Sequence, residues 1–253
     1  RVREKTGKSF IIIFRLSMLD LVEGGSSHEE VIQLGKALCE AGVTLINTGI
    51  GWHEATIPTI ATKVPRAAFS WVTAAYRDAF SVPVITSNRI NTPEVAEEIL
   101  QRGDADMVSM ARPLLADAAF ANKAQGNRAD EINTCIACNQ ACLDHIFNGK
   151  LTSCLVNPRA CHELELVVQA TDQVKHLAVV GAGPAGLAAA LTAAKRGHQV
   201  TLFDANTRIG GQFNLARQIP GKEEFNETLR YYARQLELQE VSLKLGTWVS
   251  VAE

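Results

Sequence analysis

Apolar strands and helices alternate along the first half of this sequence, and that alternation restricts the chain to few folds. Parallel pairing is expected when each strand is followed by a helix. Polar motifs follow the strands, which is also where a (β/α)8 barrel places its active-site loops. The patterns predict four strands and three helices, with strands at 9–16, 43–48, 82–88 and 105–112 and helices at 28–41, 71–80 and from Thr92 onward. The sequence therefore predicts a parallel α/β sheet with four barrel-like strands.

The composition is that of a globular protein, with 47% hydrophobic and 21% charged residues among 253. That length suits one large or two ordinary domains. The net charge of −2 gives no general attraction to nucleic acid or to an anionic membrane. The sequence has no apolar run long enough to span a bilayer and no recognisable signal peptide. Its six cysteines then favour a reducing, cytoplasmic compartment, with Cys39 as a small core residue.

A second strand–helix–strand unit follows, with its elements at 176–180, 184–197 and 198–204. Between its first strand and its helix lies the motif Gly181-x-Gly183-x-x-Gly186. Such glycines allow a tight turn, and the helix N-terminus offers N–H groups to a pyrophosphate. Asp204 ends the second strand 18 residues after Gly186, where an acid is expected to bind ribose hydroxyls. The context favours dinucleotide binding over a glycine-rich turn without a ligand.

Four cysteines lie between these two regions with the spacing C-x2-C-x3-C-x11-C, at Cys135, Cys138, Cys142 and Cys154. Four thiolates suit an iron–sulfur cluster or a zinc ion. Four-cysteine zinc sites commonly use two C-x2-C pairs, and the second pair is missing here, so the spacing favours a 4Fe–4S cluster. Cys161 is interpreted as a bystander that could replace a ligand.

Polar side chains follow the predicted strands. His53 comes just after the second strand, where an imidazole can donate a proton or a hydrogen bond. Arg15, Arg89 and Arg112 lie at the ends of three strands, so they would come together at one end of the barrel. Three arginines there would suit an anion such as a flavin phosphate. Simpler interpretations remain: a structural histidine beside Trp52 and three surface ion pairs.

Taken together, these segments resemble the bacterial NADPH-dependent 2,4-dienoyl-CoA reductases. That family consists of old-yellow-enzyme-like iron–sulfur flavoproteins related to trimethylamine dehydrogenase. The resemblance runs from residue 9 to residue 245. It is carried by FRLSMLDLVEGG, INTGIGWHEA, SNRINTPEVAEEIL, DADMVSMARPLLAD, NTCIACNQACLDHIF, SCLVNPRAC, AVVGAGPAGLAAA and IGGQFNLARQIPGKEEF.

The resemblance implies three regions: the C-terminal half of an FMN-binding (β/α)8 (TIM) barrel at 1–125, a 4Fe–4S connector at 126–172 and the start of a Rossmann-like FAD-binding domain at 173–253. It implies electron transfer from NADPH through FAD, the cluster and FMN to an acyl-CoA substrate in unsaturated fatty acid β-oxidation. The chain is then expected to be an internal fragment, inactive alone, that lacks the proton-donating tyrosine of the first half-barrel and the nicotinamide-binding module.

The resemblance also assigns residues to roles. The catalytic residue is His53, and the substrate contacts are Glu54, Ala55 and Thr56. The FMN contacts are Arg15, Arg89, Ala111 and Arg112. The FAD contacts are Gly181, Ala182, Gly183, Gly186, Asp204, Gly211 and Gln212. The cluster ligands are Cys135, Cys138, Cys142 and Cys154.

Other functions fit parts of the same pattern. A trimethylamine dehydrogenase-like or enoate reductase-like enzyme would share the flavin and cluster motifs. A non-catalytic electron-transfer module would need the cysteines and the dinucleotide motif but not His53. A structural zinc protein with a nucleotide-sensing domain would need neither flavin. No nucleic-acid or membrane partner is expected, and the sequence predicts no oligomeric state.

Overall fold

The computed structural model describes residues 1–52 and 54–250. The chain divides into two compact units, Arg1–Pro113 and Leu114–Glu253. Within the described ranges, no helix is long and apolar enough to cross a bilayer. The three-region division at 125 and 172 stays a prediction.

The first unit is built on a four-stranded parallel sheet in the order β1-β2-β3-β4. Its strands are β1 (Ile13–Leu19), β2 (Leu45–Ile50), β3 (Val84–Thr86) and β4 (Met107–Val108). Its helices are α1 (Val2–Thr6), α2 (His28–Glu40), α3 (Ser70–Arg77) and α4 (Pro93–Arg102). The predicted parallel α/β sheet is confirmed, and neighbours in sequence are neighbours in the sheet, while closure into a barrel stays a prediction.

Local sequence signals explain where two of these helices begin. Ser27 caps α2 in a capping box, in which its hydroxyl accepts from the Glu30 N–H and the Glu30 carboxylate accepts from the Ser27 N–H. Thr92 caps α4 with Pro93 in the first turn, as the sequence predicts. Gly103 ends α4 in the left-handed conformation, with φ 76°.

The core of the first unit lies under β2 and β3. Ile46 and Val84, which pair across these strands, are fully buried. All three residues of β3 are buried, as expected for a strand covered on both faces. The core also contains Leu16, Val31, Val72 and Phe80, with Cys39 packed at its margin as expected.

The second unit contains a three-stranded parallel sheet in the order β5-β6-β7. Its strands are β5 (His176–Val180), β6 (Gln199–Asp204) and β7 (Ser242–Leu245). Its helices are α6 (Phe120–Gln125), α7 (Leu143–Phe147), α8 (Pro184–Lys195), α9 (Phe213–Ala216) and α10 (Asn226–Leu238), and α5 (Arg112–Ala116) crosses the division. Leu187, Leu202 and Leu236 are completely buried between sheet and helices.

The first strand differs from its prediction. The apolar run predicts a strand at 9–16, but β1 spans Ile13–Leu19 because pairing with β2 begins at Ile13 opposite Leu45. Phe10 and Ile11 are 54% and 64% exposed and precede the strand. The prediction that Arg15 ends this strand is therefore wrong, since Arg15 lies inside β1 beside Asn47.

Gly35 of α2 is buried against the Phe80 ring, and a methyl group added to it would lie 2.1 Å from the ring. We expect Gly35→Ala to lower the free energy of unfolding by about 1–3 kcal/mol, since overpacking outweighs alanine's helix propensity. Urea unfolding followed by circular dichroism would measure this. The exposed neighbour Lys36→Ala is the control, and a Gly35→Ala protein as stable as the wild type would show that Phe80 moves freely.

Candidate functional site

A strained polar turn follows β3. Asn88 and Arg89 both adopt left-handed backbone conformations, with φ 72° and 57°. Two such non-glycine residues in succession cost free energy, and strain of this kind concentrates at functional sites. Arg89 is 5% exposed, and its Nε donates to the Val64 carbonyl at 2.7 Å. A buried, oriented guanidinium at a parallel-strand end is suited to an anionic ligand group.

The other predicted flavin contacts occupy different surroundings. The predicted strand at 105–112 is reduced to β4, so Arg112 does not end a strand but begins α5 four residues after Val108. Its Nη2 donates to the Ile60 carbonyl at 3.0 Å. Ala111 before it is exposed. Arg15 is exposed on β1, level with Asn47 of β2, whose amide oxygen accepts from the Ser109 hydroxyl at 3.3 Å. Arg89 and Arg112 thus follow strands, whereas Arg15 projects from within one.

The loop after β2 holds the predicted substrate contacts. His53 lies outside the described residues. Glu54 and Thr56 are exposed and Ala55 is half-buried, so their surfaces are open to a ligand.

Asp20 anchors this loop, and sequence reasoning missed it. The Asp20 carbonyl accepts from the Trp52 N–H at 2.8 Å. Its carboxylate accepts from the Ser17 hydroxyl and from the Ser26 N–H. The bond from Ser17 lowers the pKa of this carboxyl despite its burial. Asp20 therefore joins the ends of β1 and β2, and an acid four residues before the GGSS stretch was the available signal.

The glycine motif forms a tight turn between β5 and α8. A methyl group at Gly186 would lie 1.8 Å from the Gly181 carbonyl oxygen, so only glycine fits there. Gly181 has φ 105°, a conformation that disfavours other residues. Gly183, the N-cap of α8, has no protein atom within 4 Å of an added methyl group. The space over Gly183 is where the backbone can approach a pyrophosphate.

Asp204 and the glycine pair adjoin this turn. The Asp204 carboxylate accepts from the Ala182 N–H at 2.6 Å and from the Asn206 N–H at 2.7 Å. Both bonds lower the pKa of Asp204, and the bond from Asn206 has the larger effect. Asp204 is 7% exposed. The Gly210 N–H donates to the Ala182 carbonyl at 2.7 Å, and Gly211 packs against Gly183. Gln212, the N-cap of α9, follows at once.

The four predicted cluster cysteines are neighbours. Cys135 is 8% exposed and the other three are half-buried. Burial raises the pKa of Cys138, and nearby Cys135 and Cys142 add to the shift. Burial likewise raises the pKa of Cys154 to about 11, with contributions from Cys135 and Cys138. The thiols thus influence one another, although no group of three or more side chains in the described ranges by itself forms a metal-binding set.

The backbone around these thiols partly offsets the effect of burial. Backbone groups act in the opposite direction to burial: Gln140 lowers the pKa of Cys138, and Val156 and Asn157 lower that of Cys154. Ala137 and Asn139 adopt left-handed conformations, with φ 52° and 61°. Alternating conformations of this kind point backbone N–H groups inward, as at many iron–sulfur sites. Cysteine thiolates are the donor type that iron–sulfur clusters use, and the assignment of these four cysteines as ligands stays a prediction.

A polar framework that sequence reasoning missed holds the cysteine segments together. The Asn133 amide donates to the Val156 carbonyl at 2.8 Å, which ties the segment before Cys135 to the one after Cys154. Asp117 accepts from the Asn133 N–H at 2.8 Å and pairs with Lys123 at 2.6 Å. These contacts join residues 6 to 23 positions apart, so no short sequence motif predicts them.

Comparison with known proteins assigns both parts of the chain. The model of the NADH:flavin oxidoreductase / NADH oxidase family matches residues 1–131, and that of the NAD(P)-binding Rossmann-like domain matches residues 179–240. The chain belongs to the NADH:flavin oxidoreductase / NADH oxidase family.

Among particular proteins, the chain is similar to the metal reductase of Desulforamulus reducens, with 44% identity over 88% of this chain and 34% of the relative. A cinnamate reductase of Clostridium sporogenes is 29% identical over 98% of this chain and 40% of the relative. A solved 2-naphthoyl-CoA reductase in complex with 2-naphthoyl-CoA matches with a TM-score of 0.94 and 33% identity, over 98% of this chain and 38% of that one. The chain therefore spans little more than a third of the length of these proteins.

Two glycine substitutions separate ligand binding from folding. Gly183→Ala should leave the thermal midpoint unchanged, because an added methyl group meets no protein atom, yet weaken dinucleotide binding at least about tenfold, or about 1.4 kcal/mol. Titration of FAD by fluorescence would measure this. Gly186→Ala should instead lower the thermal midpoint, because its methyl group overlaps the Gly181 carbonyl. Unchanged FAD affinity in Gly183→Ala would argue against a pyrophosphate at this turn.

Proposed function

We propose that this chain is the central part of an NADPH-dependent reductase of a 2,4-dienoyl-CoA, with FMN held by the first unit and FAD by the glycine turn of the second. The observation that carries the proposal is the position of the cysteines. They lie between residue 131, where the flavin oxidoreductase match ends, and residue 179, where the Rossmann-like match begins. When bound, NADPH, FAD, a 4Fe–4S cluster and FMN would supply electrons in that order to a carbon–carbon double bond.

The cysteine site would serve as the one-electron carrier between the two flavin sites. Cys135, Cys138, Cys142 and Cys154 would ligate the cluster. The backbone groups that lower the pKa of Cys138 and Cys154 would stabilise ligand charge and help set the reduction potential. A structural zinc ion would carry no electrons and would leave the two nucleotide-binding regions unconnected.

The arginines of the first unit would orient FMN. Arg89, which is buried and hydrogen-bonded to the Val64 carbonyl, would bind the phosphate side of FMN together with Arg112 and the exposed residue Ala111. Arg15, exposed on β1, would lie near the pyrimidine side of the flavin. In the second unit, Gly181, Gly183 and Gly186 would receive the FAD pyrophosphate.

The acyl-CoA substrate class is supported by the 2-naphthoyl-CoA reductase complex, whose likeness extends over 98% of this chain. Residues Glu54, Ala55 and Thr56 would line the substrate pocket. His53, which precedes them, would place an imidazole beside the reacting bond and donate a hydrogen bond or a proton there.

Replacing one cluster ligand tests the electron carrier. We expect Cys138→Ser to lose most iron and acid-labile sulfide, together with the broad visible absorbance that dithionite bleaches, because a hydroxyl is a poor substitute for a thiolate ligand. Metal analysis and absorbance spectra provide the measurement. Cys161→Ser is the matched control and should retain iron. Wild-type protein that contains zinc and no iron would refute the cluster.

Replacing the histidine tests the substrate chemistry. In the whole reductase, His53→Gln should lower turnover of a 2,4-dienoyl-CoA by about 10²–10⁴-fold, the usual contribution of a positioned acid–base group, while NADPH still reduces the flavins at the wild-type rate. Stopped-flow absorbance separates the two steps. His198→Gln in the second unit is the control. Product formation unaffected by His53→Gln would favour a plain electron-transfer module.

A further inference from the structure

Helix α10 is hydrogen-bonded to the segment that leads into Cys135. The guanidinium of Arg230 donates to the Asp130 carbonyl, to the Ile132 carbonyl at 2.7 Å and to the Thr134 hydroxyl at 3.2 Å. Its Nε donates to the Glu227 carboxylate at 2.6 Å, one turn earlier on the helix. The three acceptors occupy alternate positions in sequence, so one planar side chain spans five residues of the segment.

The buried segment before and around Cys135 relies on side-chain hydrogen bonds to pair its backbone. Residues 132–137 are all buried, yet they belong to neither a helix nor a strand. Buried backbone groups outside regular structure must find partners elsewhere. Arg230 supplies charge-assisted donors to a buried carbonyl three residues before Cys135. We propose that Arg230 is a positioning residue that fixes the Cys135 thiol from the nucleotide-binding part of the unit.

Geometry distinguishes Arg230 from the neighbouring cation on the same helix. Arg234 also meets this segment, but its ion pair at 2.7 Å is to the Asp130 side chain, which is 54% exposed. Its other ion pair is to Glu237 on its own helix. Exposed ion pairs of this kind contribute little to the stability of the fold. Removing the Arg234 charge should therefore leave Cys135 in place. Removing the Arg230 guanidinium should let Cys135 shift.

The experiment compares Arg230→Met, Arg230→Lys and Arg234→Met in the purified protein. The first measurement is the rate of Cys135 alkylation by iodoacetamide after metal removal, read by peptide mass spectrometry at one pH. Arg230→Met should raise this rate at least about tenfold, the factor expected when one charge-assisted hydrogen bond is lost. Arg230→Lys should give an intermediate rate because one ammonium group cannot span three acceptors. Arg234→Met should match the wild type.

The second measurement rests on the proposed function: the electron paramagnetic resonance spectrum of the dithionite-reduced protein. A changed spectrum in Arg230→Met and an unchanged one in Arg234→Met are expected. The positioning role would be overturned if Cys135 is alkylated no faster in Arg230→Met or Arg230→Lys than in Arg234→Met. If Arg230→Met fails to fold, the lysine variant alone decides the outcome. Wild-type protein without iron, combined with faster alkylation in Arg230→Met, would refute the cluster and uphold the positioning of Cys135.

Discussion

The second unit depends on holding a buried, irregular stretch of backbone in place. Residues 132–137 carry Cys135 into the interior without helix or sheet hydrogen bonds. Side chains pair polar groups of this stretch instead: Asp117 accepts from the Asn133 N–H, and Arg230 donates to the Ile132 carbonyl. The Asn133 amide in turn donates to the Val156 carbonyl. A site made of loops can keep a defined shape when its supporting side chains are themselves fixed.

The first unit differs, because regular strands rather than irregular backbone hold its candidate site residues. Its strands provide a regular frame, and irregular backbone is confined to their ends, at Asn88 and Arg89 and in the loop that Asp20 anchors. Parallel strands bring such ends together whatever their loops contain. A family built on this frame can change substrates by changing loops, which agrees with relatives named for metal, cinnamate and 2-naphthoyl-CoA reduction.

Local sequence signals predicted what depends on local chemistry. The Thr92 cap, the glycine turn and the order of strands and helices follow from neighbouring residues. The start of β1 did not, because the apolar run is continuous and its pairing with Leu45 decides where the strand begins. Helix α10 and strand β7 were also missed. Asp117, Asn133 and Arg230 were invisible for the same reason as the start of β1, since their partners lie up to 100 residues away.

Asp204 shows how one residue can satisfy two constraints. Its position predicts a contact to ribose, yet its carboxylate accepts from Ala182 in the glycine turn and from Asn206. An acid that fixes the turn also places negative charge beside it, so replacing Asp204 would disturb both the turn and any ribose contact. Gly183 is free of this coupling, since its added methyl group meets no protein atom. The same reasoning applies to the four cysteines: the residues that hold their backbone in place, rather than the thiols, show how the protein shapes this region. Arg230 is one such residue, because its hydrogen bonds join α10 to the segment that leads into Cys135.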